Sequence, residues 1–118
     1  MLDKAAAAAR RYDELNTLMA SPEVASDPEK IRAYAQEQAE IAEIAEAYRE
    51  HERLSEELEA TREMLASETS PEMRELVADE VARLEERIEG LEARLRGLML
   101  PRDPRDARNV IVEIRAGT

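Results

Sequence analysis

The sequence predicts an all-α protein: an elongated three-helix bundle with a long antiparallel helical hairpin, followed by one C-terminal β-strand. Three observations predict this fold class. Ala, Glu, Leu and Arg dominate the 118 residues, which include no Phe or Trp and only 3 Tyr, a composition typical of long helices. Apolar residues recur at spacings of three and four, as they do on one face of a helix. Asp-Pro and Ser-Pro pairs, which favour helix starts, divide this pattern into segments.

The first predicted helix runs from about Asp3 to Met19. Asp3 suits the N-cap position, because its carboxylate can accept hydrogen bonds from the N–H groups of the first turn. Five residues share one face of this helix: Ala5, Ala8, Tyr12, Leu15 and Met19. Pro22 disfavours helical backbone at Ser21, so we expect Ser21-Pro22-Glu23 to break the chain there.

The second predicted helix begins at Pro28, with Asp27 as its N-cap, and contains no Gly or Pro before Pro71. An unbroken helix up to about Ser67 would span about 58 Å at about 1.5 Å per residue. Gln38 weakens its apolar seam, and so does His51, where a kink is an open alternative. The seam positions are Ile31, Tyr34, Gln38, Ile41, Ile44, Tyr48, His51, Leu54, Leu58 and Leu65.

The third predicted helix begins at Pro71, capped by Ser70, and ends before Pro101. Its apolar residues form a heptad seam from Val77 onwards: Met73, Val77, Val81, Leu84, Ile88, Leu91, Leu95 and Leu98. The short connection to the second helix predicts an antiparallel hairpin. We expect the core to form where Leu84, Ile88, Leu91 and Leu95 meet Ile44, Tyr48 and Leu54. All three helices should overlap only around Gln38 to Ala45.

The composition changes near Pro101 and predicts a domain boundary there. Residues 1–100 carry a net charge of −12 and residues 101–118 a net charge of +1. We therefore expect a helical domain over 1–100, and over 101–118 a linker with the first strand of a following domain. Val110 to Ile114 is rich in β-branched residues, which favours a strand. Since a lone strand lacks backbone partners, residues 109–118 should be disordered or should pair two chains into a homodimer.

The sequence predicts no catalytic residue, no cofactor site and no metal site. There is no Cys, and His51-Glu52 begins an H-E-x-x-H pattern in which Ser55 replaces the second zinc ligand. No apolar run is long enough to span a membrane, and no signal peptide is evident, so the expected compartment is the cytoplasm. The net charge of −11 opposes broad RNA binding. Arg102, Arg105 and Arg108 could contact RNA phosphate, although an interdomain linker is the favoured interpretation.

Four short segments carry a resemblance to a known family. They are Met1-Leu2-Asp3-Lys4, Ser21-Pro22-Glu23-Val24, residues 98–104 (LMLPRDP) and residues 109–118 (NVIVEIRAGT). Together they resemble the bacterial class I peptide chain release factors, and most closely the type that reads UAA and UAG. The family's Gly-Gly-Gln hydrolysis motif and its codon-reading tripeptide lie beyond Thr118, so neither maps onto a residue of this chain.

The resemblance implies a role as the N-terminal, non-catalytic docking domain of a translation termination factor. It implies binding to the ribosome near the stalk base, through RNA and a neighbouring ribosomal protein, and no bound cofactor. In the longer protein, other parts would direct peptidyl-tRNA hydrolysis at stop codons. Two alternatives stay open from the residues alone. A generic acidic coiled-coil scaffold would explain the heptads but not the strand, and no motif supports a small acidic enzyme.

Overall fold

Four helices make up residues 1–101, the part of the chain that the computed structural model describes. Helix α1 spans Leu2–Ala20, α2 spans Pro22–Ala25, α3 spans Pro28–Ser67 and α4 spans Pro71–Leu98. The three long helices begin and end close to their predicted bounds. Helix α1 begins one residue before Asp3, which therefore lies in the first turn instead of capping it.

The predicted fold class, three helices followed by a strand, is wrong. Ser21-Pro22-Glu23 does not simply break the chain, because Ser21 Oγ accepts a hydrogen bond from Val24 N at 3.4 Å and Pro22 fits the first turn of α2. Val24 is then buried beneath this short helix. A strand needs a partner strand, and residues 1–101 contain only helices and their connections. The predicted strand Val110 to Ile114 itself lies outside the described residues.

The predicted N-caps of the two longest helices are confirmed. Asp27 Oδ1 accepts hydrogen bonds from Glu29 N at 3.1 Å and Lys30 N at 3.3 Å. Ser70 Oγ accepts one from Met73 N at 3.4 Å. Both caps are followed by Pro at the first helical position, where the missing N–H has no partner to lose. The capping residues therefore determine where α3 and α4 begin.

Helix α3 is the central helix of the fold, against which both other long helices pack. Its 40 residues form one uninterrupted helix, about 60 Å long, that continues through His51. Helix α1 packs along its N-terminal half and α4 along its C-terminal half, both antiparallel to it. Gln38 contacts α1 and Leu54 contacts α4. At about 100° per residue these two positions lie on nearly opposite faces, so α3 presents two apolar stripes instead of one continuous seam.

Two groups of buried side chains hold the helices together. The junction cluster consists of Ala5, Ala47 and Leu95, one residue from each long helix. The hairpin cluster consists of Leu54, Leu58 and Leu84, between α3 and α4 alone. Burial of the predicted core residues Leu54, Leu84 and Leu95 is confirmed.

The remaining predicted core residues are partly buried and pack against these clusters: Ile44, Tyr48, Ile88 and Leu91. The three helices meet at Ala47, slightly beyond the predicted overlap around Gln38 to Ala45. At this junction α1 contacts both helices of the hairpin.

Candidate functional site

His51 is a structural residue of the hairpin. It is 8% exposed, and its Nε2 lies 2.9 Å from Glu92 Oε2 on α4. This cross-helix contact places a polar pair beside the hairpin cluster.

Across residues 1–101, no group of three or more His, Cys, Asp or Glu side chains is close enough to hold a metal ion. No helix in this part of the chain is long and apolar enough to cross a membrane.

Arg11 and Glu37 form a bidentate ion pair between α1 and α3. Arg11 Nε donates to Glu37 Oε2 at 2.6 Å, and Arg11 Nη2 donates to Glu37 Oε1 at 2.9 Å. Two parallel hydrogen bonds of this kind are stronger than one, and they also fix the relative orientation of the two side chains. These hydrogen bonds raise the pKa of Arg11 and hold the pKa of the Glu37 carboxyl below its ordinary value. Glu14, on α1 itself, also contacts Arg11.

Two further side chains of α3 bond to the backbone of α1. Gln38 Nε2 donates to Tyr12 O at 3.3 Å and to Asn16 Oδ1 at 2.6 Å. Arg49 Nη2 donates to Ala9 O at 3.2 Å and, at 2.6 Å, to the carboxylate of Asp13, which raises the Arg49 pKa.

These bonds set the rotation of α1 about its own axis. Gln38 is polar within an apolar seam because its amide group donates hydrogen bonds to α1. Residue spacing alone did not indicate this role. The polar contacts between α1 and α3 therefore add to the buried Ala5, Ala9 and Leu15 in fixing how the two helices are oriented.

An open groove of about 510 Å³ runs along α3 beside α1. Ala42 and Ala45 form part of its lining, together with Tyr12 and the two cations Arg49 and Arg53. Both cations already bond to carboxylates, Asp13 and Glu50 respectively. The Arg53 contact, reinforced by Arg87, holds the pKa of Glu50 below its ordinary value. Within the groove, Glu50 is therefore stabilised in its charged form by two cations.

The turn between α3 and α4 is held by hydrogen bonds to both helix ends. Glu68 Oε2 accepts from Thr69 N and Ser70 N, each at 3.1 Å. Arg74 Nη1 donates to Leu65 O at 2.8 Å and Glu68 O at 3.0 Å. Leu65 O, one of the last carbonyls of α3, which have no partner within their own helix, thereby gains a hydrogen bond from α4. We refer to residues 63–76, the turn and the helix ends around it, as the hairpin tip.

Exposed apolar side chains are concentrated at the hairpin tip. Met64 is 53% exposed, Met73 is 45% exposed and Leu76 is 61% exposed. They are three of the six large hydrophobic residues exposed in residues 1–101; the others are Met1, Leu2 and Leu100. Single exposed apolar residues are ordinary, whereas adjacent ones mark contact surfaces. Sequence reasoning missed this group, since Met64 and Leu76 fall outside both predicted seams.

The predicted contact residues Arg102, Arg105 and Arg108 lie outside the described residues. The same holds for residues 109–118, the predicted homodimer segment. The domain division at Pro101 stays a prediction. Within residues 1–101, the structure brings together the helix-packing contacts and the exposed tip.

Comparisons with known proteins give a consistent result. The chain matches the PCRF domain over residues 8–118. It is 45% identical over 116 residues to peptide chain release factor 1 of Geobacillus kaustophilus, covering 98% of this chain and 32% of the relative. It is 48% identical over 108 residues to the protein of that name from Desulforudis audaxviator, covering 92% of this chain and 30% of the relative.

The protein of the same name from Bacillus subtilis is 42% identical over 115 residues, with 98% of this chain and 32% of the relative covered. The chain therefore spans about a third of the length of the curated relatives it matches. No solved structure matches it at a significant level. The resemblance found in the sequence is confirmed by these relatives.

Proposed function

The chain belongs to the PCRF domain family, and on this premise we propose that it is the N-terminal docking domain of a translation termination factor. The observation that carries the proposal is the match over residues 8–118, together with relatives named peptide chain release factor 1 along nearly the whole chain. The partner is the ribosome, near the stalk base, through a ribosomal protein and ribosomal RNA. The compartment is then the cytoplasm, where such a factor meets ribosomes.

The longer protein would direct peptidyl-tRNA hydrolysis at UAA and UAG codons, without a bound cofactor, and this domain would contribute no catalytic group. The arrangement of charges supports that division of roles. The buried His51 is bonded to Glu92, and Arg11 and Arg49 are bonded across the α1–α3 interface. The polar groups of His51, Arg11 and Arg49 are thus used to stabilise the helix bundle. The outer surface of the bundle stays available for contact with a partner.

A ribosome assay with the purified chain tests the proposal. The chain should sediment with 70S ribosomes, and it should release no peptide from ribosomes that hold peptidyl-tRNA at a UAA codon. It should also slow release by the full-length factor, because both compete for one docking position. Release above the buffer level would contradict the non-catalytic role. Failure to sediment with ribosomes at any concentration up to tens of micromolar would contradict docking.

A generic acidic coiled-coil scaffold remains the second candidate. The heptad packing of Leu84 in the hairpin cluster favours it, because a scaffold needs nothing more than such a hairpin. The two candidates differ in the competition assay: a scaffold would not slow release by the full-length factor.

A further inference from the structure

We propose that the open groove along α3 is an interdomain surface, which in the longer protein holds an apolar ridge of the part of the chain that follows residue 118. Contact in the groove holds this domain in one orientation relative to that part. The inference rests on the proposed function, since it needs the longer protein. Three observations carry it: where the chain leaves the helix bundle, what lines the groove, and how its charges are paired.

The chain leaves the helix bundle beside the groove. Leu95 packs with Ala47 in the junction cluster, and α4 runs antiparallel to α3. Leu100 therefore lies near the level of Ala42, which lines the groove. The chain that continues after Pro101 thus starts next to this surface.

The longer protein supplies an occupant for a surface in this position. The chain spans about a third of the length of the relatives it matches, so in a protein of their length most residues lie outside it. A short connection keeps a following domain at high effective concentration close to the point where it is attached. The surface beside Pro101 is therefore the one that such a domain meets first.

The groove is lined by side chains that suit an apolar ridge. Ala42 is half-buried and Ala45 is buried, and the half-buried Tyr12 on α1 lies beside them. Two alanines leave room for the side chains of a second surface, and Tyr is a residue type enriched at protein interfaces. Leu100, at the same level, is 69% exposed and extends the apolar area towards the end of α4.

Ion pairs already neutralise most of the charge in the groove. All of its charged side chains except Glu46 form ion pairs within residues 1–101, either with each other or with Asp13, Glu57, Arg87 and Arg94. The groove and these partners together contain four cations and five carboxylates, a net charge of −1, against −12 for residues 1–100. The charged side chains of the groove are Glu43, Glu46, Arg49, Glu50 and Arg53.

This balance of charge indicates what kind of surface fits. Covering a charge that keeps its partner costs less than covering an unpaired one. A nearly neutral surface attracts neither phosphate nor a strongly basic protein by charge, so apolar contact decides what binds there. An apolar ridge of the following part of the same chain meets both conditions.

Chemical labelling of single cysteines tests the proposal. The chain contains no Cys, so Ala42→Cys and Glu46→Cys each place one reactive thiol in the groove. Ala60→Cys is the matched control, because Ala60 is exposed and lies on the same face of α3, about five turns away. Each variant is made in the 118-residue chain and in the full-length factor. Mass spectrometry of the peptide that carries the new thiol measures its rate of reaction with a maleimide.

Labelling at both groove positions should be at least about tenfold slower in the full-length factor than in the 118-residue chain, because the thiol reacts only while the groove is open. Ala60→Cys should react at the same rate in both. Equal rates at the groove positions would overturn the proposal, and so would equal slowing at Ala60→Cys. Slowing in the 118-residue chain that grows with its concentration would overturn it in favour of a second copy. Circular dichroism of each variant checks that its helices are intact.

The labelling needs no ribosome, so the two proposals fail in different ways. If the chain slows release by the full-length factor but the groove reacts equally fast in both proteins, the interdomain proposal is wrong and the docking proposal stands. If the chain does not bind ribosomes but the groove is protected in the full-length factor, the docking proposal is wrong and the interdomain proposal stands.

Discussion

Replacing Leu95 by Ala should destabilise the protein more than replacing any exposed residue of α4 by Ala. Leu95 is fully buried, and its partners in the junction cluster are Ala5 and Ala47. The change removes three carbons, worth about 2.4 kcal/mol at about 0.8 kcal/mol per buried methylene. Two alanines are too short to fill the space left behind, so a cavity penalty adds to this, and the total should be about 3–5 kcal/mol.

Thermal unfolding followed by circular dichroism at 222 nm measures this cost. A domain of this size loses about 4–8 °C in Tm per kcal/mol, so Leu95→Ala should lower Tm by more than about 12 °C. The matched control is Leu76→Ala, the same chemical change on the same helix at a residue that is 61% exposed. Its free energy of unfolding should change by less than about 0.5 kcal/mol.

The location of the loss is also testable. Because Leu95 is the α4 residue of the junction cluster, its truncation should speed amide hydrogen exchange in α1 as well as in α4. Truncation of Leu84, in the hairpin cluster, should affect α1 much less. Equal Tm for Leu95→Ala and Leu76→Ala would refute the burial argument, and unchanged exchange in α1 would refute the junction.

Three further substitutions probe local contacts. Asp27→Ala removes the N-cap of α3 and should cost about 1 kcal/mol, measured by urea denaturation, with Asp27→Ser as the rescuing control. The lowered pKa of Glu37 stabilises the fold above the unfolded value of about 4.3, and this contribution is lost as the pH falls through the folded pKa. Glu37→Gln should therefore be less stable at pH 7 and should lose less stability between pH 6 and pH 3; an unchanged pH profile would contradict the Arg11 contact. Arg62→Ala breaks an exposed pair with Glu85 and should cost less than about 1 kcal/mol, whereas a larger loss would show that this pair is shielded from water.

Local chemistry made the helix bounds predictable. Asp27 and Ser70 each precede a Pro, and a capping side chain and Pro followed by a long segment of helical apolar spacing indicate a helix start. The heptad seam of α4 was predictable for a similar reason, since the regular spacing that contains Leu84 and Leu95 lies within one helix. In each case the residues that determine the structure are close together in the chain.

Features that depend on distant contacts were not predictable in the same way. Helix α2 was missed because Ser21-Pro22 reads equally as a break and as a helix start, and the burial of Val24 decides between them. The change of face along α3 was missed because Gln38 looks like a defect until α1 is placed beside it. The apolar patch at the tip was missed because exposure of Met64 and Leu76 depends on how far α3 and α4 extend together.

Because α3 is continuous, the part of the hairpin beyond the junction cluster moves as one rigid arm. From Ala47 in the junction cluster to Ser67 at the end of the helix the arm is about 30 Å long. A rotation of about 10° at the junction therefore moves the far end by about 5 Å, roughly one helical turn. The packing of α1 on α3 and the junction cluster of Ala5, Ala47 and Leu95 thus fix the direction of a surface that none of them touches. Mutations in the junction cluster therefore change the direction of the hairpin tip while leaving every residue of the tip unchanged.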